Sequence, residues 1–510
     1  MARRELLVTP LAAAVALVLV SAAGCQLSTQ EPLSPPSAST SMSVAPASAA
    51  TVDKVVNEVM ASQHLRAAIV KVSVGGREVI TKAYGESMPG VPATTDMHFR
   101  NGAVAISYVS IALLPLVDEG VVNLDDKVSR WLPDLLYGDQ VTLGQLAQMT
   151  SGYVDYVTAP ELTKLLYADP FRTFTPEDLI AISTKRPLLY RPGTNWNYAH
   201  TNYVILGLAM EKITGKPMTQ IMQERVLGPL GLDNTTDPDT PAITEPALHA
   251  YSSERRYALK IPASIPFTED ATYWNPSWTI THGAIQTTNI DDMHTSAVAI
   301  GTGQLLKPAT FQQMITKDLI GKTTTVKGCL TCFPQQPGYT YGLGIVSSGD
   351  WLVQDPLFSG ESGAIAYLPS RQVAIAVAVT YEPAAYTSPA SPKNSADFLW
   401  RKIAATLAPA DAPMIPPMTS AMPEERLAVV RRARTSTGMS CPPGRSSGDQ
   451  DRGVRVVRRV QRRLSFGQGR HAGLELVVAR PTNVGEEHTE GQRWSNAQSN
   501  AQRQAQAGPC

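Results

Sequence analysis

Two pairs of strand-like segments stand near opposite ends of the sequence, with a mostly helical middle between them. The first pair, "AAIVKVSVGG" and "EVITKAYG", is separated at Gly75-Gly76, a junction that suits a hairpin. The second pair, "SGAIAYLPS" and "QVAIAVAVTY", lies far along the chain. Because strands need partners, this arrangement predicts one sheet built from distant segments. The expected fold class is α+β, a single unit with an inserted helical lobe.

Helical patterns flank the strands on both sides. Val52, Val55 and Val56 have the spacing of one helix face, which predicts that folding begins near that point. The segment "SADFLWRKIAATLA", residues 395–408, begins with a serine and carries an apolar stripe, which is typical of a helix. The folded domain is therefore expected to span residues 51–408.

The composition is that of a globular protein without a charge bias. The chain has 510 residues, of which 43% are hydrophobic and 17% charged, enough for a sizeable core. Lysine plus arginine equals aspartate plus glutamate, at 44 each. Because there is no net positive charge to attract phosphates, no nucleic-acid partner is expected.

The first 25 residues have the character of a targeting segment. Two arginines precede the mostly apolar run Leu6–Val20, and small residues lead into Cys25. The run Ala22–Cys25 resembles the bacterial lipoprotein signal, in which the cysteine becomes the lipidated first residue. A cleaved secretory signal is the alternative. Both interpretations predict export, and the first predicts a lipid anchor at Cys25 on the outer face of the cell membrane.

Two further segments differ in composition from the predicted domain. Residues 26–50 are rich in serine, proline and alanine, which predicts a disordered tether. Residues 409–510 are rich in proline and then in arginine, and no lysine follows Lys402. This break is compatible with a disordered tail, a basic tail that touches an anionic polymer, or an out-of-frame artefact.

Cys329 and Cys332 are candidates for a disulfide. Export places them in a compartment that permits the bond. A metal site would need two more ligands, and no histidine or cysteine pair lies nearby in the sequence. A disulfide is therefore expected, two free thiols are the alternative, and no metal is expected.

Six segments together carry a resemblance to a known family. They occur in this order: "MHFRNGAVAISY", "LVDEGVVNLDDKVSRWLPD", "VTLGQLAQMTSGY", "RPGTNWNYAHTNYVILGLAMEKITGK", "LGPLGLDNT" and "YGLGIVSS". In order and spacing they resemble the serine β-lactamase and penicillin-binding-protein family, in particular class C enzymes with their related esterases and D-aminopeptidases. The resemblance covers residues 51–408. It implies an antiparallel sheet, made from the N- and C-terminal segments and flanked by helices, in a β-lactamase/transpeptidase-like fold.

The resemblance also implies a Ser-x-x-Lys pair at a helix N-terminus, where the lysine takes the serine proton. The matching residues here are Ala103 and Ile106, so both catalytic side chains are absent. No lysine in the chain has a serine three residues before it. Ser107 and Ser110 lie further along the same predicted helix and are interpreted as ordinary helix serines.

Two more family motifs are incomplete. Tyr-x-Asn corresponds to Tyr198-Ala-His200, in which a histidine replaces the amide. His200 is a candidate base, although a lone histidine is more often a structural hydrogen-bonding group. The motif of a cation or histidine followed by Ser/Thr and Gly is placed at Phe358-Ser359-Gly360, on a strand expected to line the cleft. Backbone N–H groups at Ala103 and just after Gly360 are expected to form an oxyanion hole.

These losses favour a catalytically inactive β-lactamase-like lipoprotein that binds a ligand or partner at the cell envelope. A cell-wall peptide derived from peptidoglycan is the ligand class that the resemblance suggests, and an envelope protein is another partner. One alternative is an esterase, β-lactamase or D-Ala-D-Ala peptidase with a non-standard catalytic group, such as Tyr198 with His200. Another is an envelope scaffold with a closed cleft. None of these hypotheses calls for a cofactor.

Overall fold

The structure, a computed structural model, describes residues 49–237, 240–262, 264–386 and 393–414. The predicted signal segment with Cys25 lies outside the described residues. So do nearly all of the predicted tether and of the tail, residues 26–48 and 415–510. Within the described part of the chain, no helix is both long and apolar enough to cross a membrane.

Helices and strands alternate unevenly along the described chain. The α-helices are α1 (Ala49–Gln63), α2 (Val104–Asp118), α3 (Leu143–Ala147), α4 (Pro160–Ala168), α5 (Pro176–Thr184), α6 (Thr201–Thr214), α7 (Met218–Met222), α8 (Gly228–Leu230), α9 (Ile290–Thr302), α10 (Pro308–Met314) and α11 (Ser395–Leu407). The strands are β1 (Leu65–Val74), β2 (Arg77–Met88), β3 (Val91–Pro92), β4 (Phe99–Arg100), β5 (Tyr251–Ser252), β6 (Glu269–Asp270), β7 (Thr287–Thr288), β8 (Thr340–Tyr341), β9 (Val346–Ser348), β10 (Trp351–Gln354), β11 (Leu357–Phe358), β12 (Glu361–Leu368) and β13 (Val373–Tyr381).

One antiparallel sheet joins the two ends of the domain. Its strand order is β3-β2-β1-β13-β12-β10-β9-β8, and β11 also pairs with β12. β1 pairs with β13 from Leu65 opposite Tyr381 to Val74 opposite Val373. The first hairpin, β1 with β2, turns at Gly75-Gly76 as predicted. The predicted α+β fold, with a sheet made from distant segments, is therefore confirmed.

Helices cover both faces of this sheet. Lys71 of β1 pairs with Asp291 of α9 at 2.6 Å. Lys71 of β1 lies opposite Ala376 of β13, and Ala376 lies opposite Ile365 of β12. Residues paired across neighbouring strands point to the same face of the sheet, so these three share a face. Ser362, three residues before Ile365, lies on the opposite face and accepts a hydrogen bond from α11. α1 packs beside α11, so the sheet is sandwiched between α9 and the α1–α11 pair.

The helical middle contains the inserted lobe. A separate small core joins α4, α5 and part of α6 around Tyr156, Leu162 and Leu179. α2 lies in the main core instead and is buried on all sides, since Val104, Tyr108 and others around its circumference are inaccessible to solvent. A helix that is apolar all round is stable only when fully enclosed. In agreement with this, α6, α7 and α10 pack against α2.

Candidate functional site

A buried amide pair fixes the entry to α2. Asn101 Nδ2 donates to Gln286 Oε1 at 2.6 Å, and the Gln286 backbone N–H donates to Asn101 Oδ1 at 3.0 Å. Both side chains are fully buried, and the adjacent strands β4 and β7 pair with each other. Each buried polar group thus has a partner, which keeps the backbone before Ala103 in one position.

The residue that follows, Gly102, brings two parts of the chain into close contact. Its φ of +52° lies in the left-handed region, which favours glycine. A Cβ at this position would stand 2.3 Å from Pro356 Cβ and 2.7 Å from the ring of Phe358. The start of α2 is therefore pressed against the connection between β10 and β11.

A cavity of about 290 Å³ opens beside the start of α2. It collects residues from α2, the N-terminus of α6, the loops before β7 and β8, and the chain after β10. The lining residues are Gly102, Ala103, Ile106, Tyr198, His200, Trp278, Thr279, Ile280, Ile285, Tyr339, Asp355, Pro356, Leu357 and Phe358. The structure thus brings together Ala103, Ile106, Tyr198, His200 and Phe358 of the predicted site.

The two helix serines hold structural positions. Ser107 Oγ donates to the Gly344 carbonyl oxygen at 2.6 Å, and Ser110 Oγ lies 2.8 Å from the hydroxyl of Tyr203. Both serines are fully buried. Their interpretation as ordinary helix serines therefore fits the structure.

His200 stands at the cavity with an aspartate behind it. Its Nδ1 lies 3.3 Å from both carboxylate oxygens of Asp155, and its backbone N–H donates to Asp155 Oδ1 at 3.1 Å. Asp155 is 4% exposed to solvent, whereas the His200 side chain is 20% exposed. Sequence reasoning found the histidine but missed Asp155, which is 45 residues away in the chain.

Tyr198 lines the cavity as a neutral phenol. Burial raises its pKa well above the ordinary value of 10, and neighbouring acidic groups, Tyr339 and Asp355 first among them, raise it further. Its ring stands edge-on to His200, with centroids 5.2 Å apart. At neutral pH Tyr198 can therefore donate or accept a hydrogen bond, but it is not an ionised base.

The placement of the third motif needs correction. Phe358 lines the cavity, but Ser359 and Gly360 do not: Ser359 Oγ donates to Glu254 at 2.6 Å, and Gly360 lies against the backbone of Tyr251. These two residues form the turn between β11 and β12, since Phe358 pairs with Glu361. Glu361, whose N–H comes just after Gly360 and is the expected second oxyanion donor, is not among the described lining residues either.

The cavity wall is built instead by the preceding residues, among them Asp355, which sequence reasoning missed. Burial raises the pKa of its carboxyl group to about 7; the carboxylate of Asp397 adds to the rise, and Arg401 opposes it. The available signal was the pair Asp355-Pro356 directly after the strand-like run "WLVQ". The family motif, placed at Phe358-Ser359-Gly360, begins three residues later and does not include it.

Outside the cavity, the Sγ atoms of Cys329 and Cys332 are joined at 2.07 Å. Cys332 is buried beside Phe333, whose ring meets that of Trp196. In the described ranges, no three histidine, cysteine, aspartate or glutamate side chains converge in a way that could hold a metal ion.

Comparisons with known proteins agree with this fold. A sequence profile described as Beta-lactamase matches residues 52–392. Esterase EstB from Burkholderia gladioli is 25% identical over 335 residues, which are 61% of this chain and 82% of that protein. Protein flp from Staphylococcus aureus is 23% identical over 247 residues, or 44% of this chain. The match spans 47% of Protein flp, so the chain covers about half the length of that relative.

A solved structure supports the same assignment at the level of the fold. D-stereospecific amidohydrolase from Streptomyces sp. has a TM-score of 0.56 at 24% sequence identity, over 71% of this chain and 98% of that one. It shares the β-lactamase/transpeptidase-like arrangement of an antiparallel sheet with flanking helices. Since the profile match covers most of the chain and the fold agrees with it, the chain belongs to the Beta-lactamase family.

Proposed function

We propose that this protein is an exported lipoprotein whose β-lactamase-family domain binds a ligand without forming an acyl-enzyme. The observation that carries the proposal lies at the start of α2, where the cavity meets the methyl group of Ala103 and the apolar side chain of Ile106. Alanine has no nucleophile, and isoleucine accepts no proton. Acyl transfer through this helix therefore has no chemical agent.

The other hydroxyl groups of the cavity do not supply a substitute. Thr279 donates its hydroxyl to the Pro276 carbonyl oxygen at 2.6 Å. Tyr198 and Tyr339 remain protonated, because burial raises the pKa of both phenols well above the ordinary value. Among the described residues that line the cavity there is no serine, cysteine or lysine. This composition supports binding rather than covalent catalysis.

The ligand class follows from the family and from the predicted location. Similar proteins are named an esterase and an amidohydrolase, which favours a ligand with an ester or amide group. A signal segment ending at Cys25 would anchor the protein to the outer face of the membrane, where cell-wall peptides are present. A peptidoglycan-derived peptide is therefore the proposed ligand, and the membrane is the proposed partner of the lipid anchor.

Covalent probes test this function directly. The purified full chain is incubated with a fluorescent penicillin and with a fluorophosphonate, and hydrolysis of an activated ester is followed in parallel. We expect no stoichiometric labelling and no turnover above the buffer rate. Shifts of the melting temperature with peptidoglycan fragments then report binding. Site-specific labelling with turnover would overturn the proposal.

A second function, hydrolysis by an activated water, is favoured by one observation. His200 faces the cavity while Asp155 holds its other ring nitrogen, an arrangement that orients an imidazole as a general base. In this scheme His200 takes a proton from water, the hydroxide attacks an ester carbonyl, and the alcohol leaves with that proton. No covalent intermediate is needed.

The two functions are separated by histidine variants. If water activation operates, His200→Ala abolishes the hydrolysis of an activated ester. His249→Ala is the matched control, because His249 pairs with Asp270 at 2.7 Å in the same way but does not line the cavity. Equal rates for the wild type and both variants would exclude the second function.

A further inference from the structure

The described lining of the cavity contains an acidic side chain but no lysine or arginine. Of those residues, Asp355 alone carries a carboxylate. The same described lining includes one histidine, His200, whose Nδ1 lies 3.3 Å from Asp155 Oδ1. A ligand therefore meets an acidic group that no basic lining residue balances.

No described cation lies within 4.0 Å of the Asp355 carboxylate, and the nearby arginine is engaged elsewhere. Arg401 Nε donates to the two carboxylate oxygens of Asp397 at 2.9 and 3.0 Å. Its Nη1 donates to Ser348 Oγ at 2.8 Å and to the Met414 carbonyl oxygen at 2.9 Å. Arg401 thus moderates the charge of Asp355 from a distance without forming an ion pair with it.

Aromatic rings make up much of the remaining wall. Tyr198, Trp278, Tyr339 and Phe358 line the cavity, and the rings of Trp278 and Phe358 lie 6.2 Å apart in an edge-to-face arrangement. The face of an aromatic ring attracts a cation, and the attraction strengthens where water is excluded. Aromatic rings around one carboxylate form an environment that suits an ammonium group.

We propose that the cavity recognises its ligand through an ammonium group, with Asp355 as the counter-charge and the aromatic rings of Tyr198, Tyr339 and Phe358 as its surroundings. This inference rests on the proposed function, because it assumes that the cavity binds a ligand. It adds a charge preference to that function. A ligand with a free carboxylate is expected to bind poorly, because no described lysine or arginine lines the cavity to pair with it.

The proposal entails a pH dependence. Burial raises the pKa of Asp355 to about 7, so the carboxyl group is largely neutral at lower pH and attracts an ammonium weakly. The groups that face it are Asp397 and Arg401 from α11, and Tyr198 and Tyr339 across the cavity. The tyrosines stay neutral through this range. Affinity for an amine is therefore expected to rise as pH increases through about 7.

Three probes of similar shape test the charge preference: 2-phenylethylamine, 2-phenylethanol and phenylacetate. Their affinities for the full chain are measured by calorimetry at pH 8. We expect the amine to bind about tenfold more tightly than the alcohol, from a charge-assisted hydrogen bond and cation–π contacts. We expect no measurable binding of phenylacetate.

The matched variants are Asp355→Asn and Asp350→Asn. The first removes the cavity charge and is expected to make the amine and the alcohol equal in affinity. The second removes a carboxylate that is 77% exposed beside Lys317, and it should leave the preference intact. The pH series on the wild-type protein gives an independent measurement that does not depend on the folding of a variant.

The outcomes separate this inference from the proposed function. If the alcohol binds as tightly as the amine, and Ala103→Leu abolishes both by filling the cavity, then the cavity binds ligands but the ammonium preference is wrong. If none of the three probes binds at millimolar concentration, the inference is also overturned. The proposed function is then judged separately by the labelling and peptidoglycan-fragment experiments.

Discussion

Ala103 and Ile106 occupy the positions at which the family resemblance implies a serine nucleophile and a lysine base. Both residues line the cavity: Ala103 is the N-cap of α2 and Ile106 lies in its first turn, so the backbone holds the two positions that a catalytic pair would need. Alanine lacks the hydroxyl group of the family's serine, and isoleucine lacks the amine of the family's lysine. Restoring the two catalytic side chains therefore tests whether the backbone and cavity around them still support acylation.

Replacing both residues, Ala103→Ser together with Ile106→Lys, is expected to produce slow acylation by an uncharged activated ester. Residues three apart on a helix share a face, so the new amine can take the new hydroxyl proton. Ile106 is 1% exposed, and burial at that position favours the neutral amine that serves as a base. Intact-mass analysis detects the adduct. Ala103→Ser alone should give none, and an unreactive but folded double variant would favour the scaffold hypothesis.

A second prediction at this scale concerns pH and stability. Burial raises the pKa of Asp355 from 3.8 to about 7, and that of Glu361, near Arg100, from 4.5 to about 7. Between about pH 4 and 7 the folded protein keeps protons that the unfolded chain has released. The free energy of unfolding therefore falls as pH rises through this interval.

Asp355→Asn removes one of these buried charges. In urea titrations we expect the variant to be more stable than the wild type at pH 8 and equally stable near pH 4. Asp350→Asn, at an exposed position, should show no such pH-dependent difference. Equal stability of Asp355→Asn and the wild type at pH 8 would contradict the assignment of the pH effect to this carboxyl group.

At the scale of elements, local patterns predicted the four longest strands, β1, β2, β12 and β13, and the buried helix α2. The glycine pair between β1 and β2 and the apolar stretch of α2 follow from short-range turn and packing preferences. The path of the chain through residues 355–360 could not be predicted in this way. The strand β11 has only two residues, too few to show a sequence periodicity. The path of the chain there depends on the close packing of Pro356 and Phe358 against Gly102, just before α2.

That contact gives a prediction for the element junction. Gly102→Ala places a Cβ against Pro356 and Phe358 and strains a positive φ, so we expect a loss of about 3 kcal/mol in the free energy of unfolding. Gly75→Ala is the control, since its φ is +58° but no atom lies within 4 Å of the added Cβ. It should cost about 1 kcal/mol. Equal losses in urea titrations would contradict the close packing at Gly102.

At the scale of the whole molecule, the proposed anchor decides where the domain works. Cys25→Ala is expected to abolish incorporation of labelled palmitate and to release the protein from the membrane fraction, because buried acyl chains supply the membrane affinity. Cys441→Ala should retain both properties. Wild-type protein recovered without label in the soluble fraction would contradict the lipoprotein proposal.

The sequence by itself determined the α+β fold, the pairing of its distant ends and the absence of a nucleophile at Ala103, because hydrophobic periodicity, turn residues and residue identity are local properties. Only the tertiary structure decided that Asp155 stands behind His200 and that Asp355, rather than Ser359 or Gly360, faces the cavity. These contacts join segments far apart in the chain. They depend on how the sheet and the helices close around α2, which no local pattern specifies.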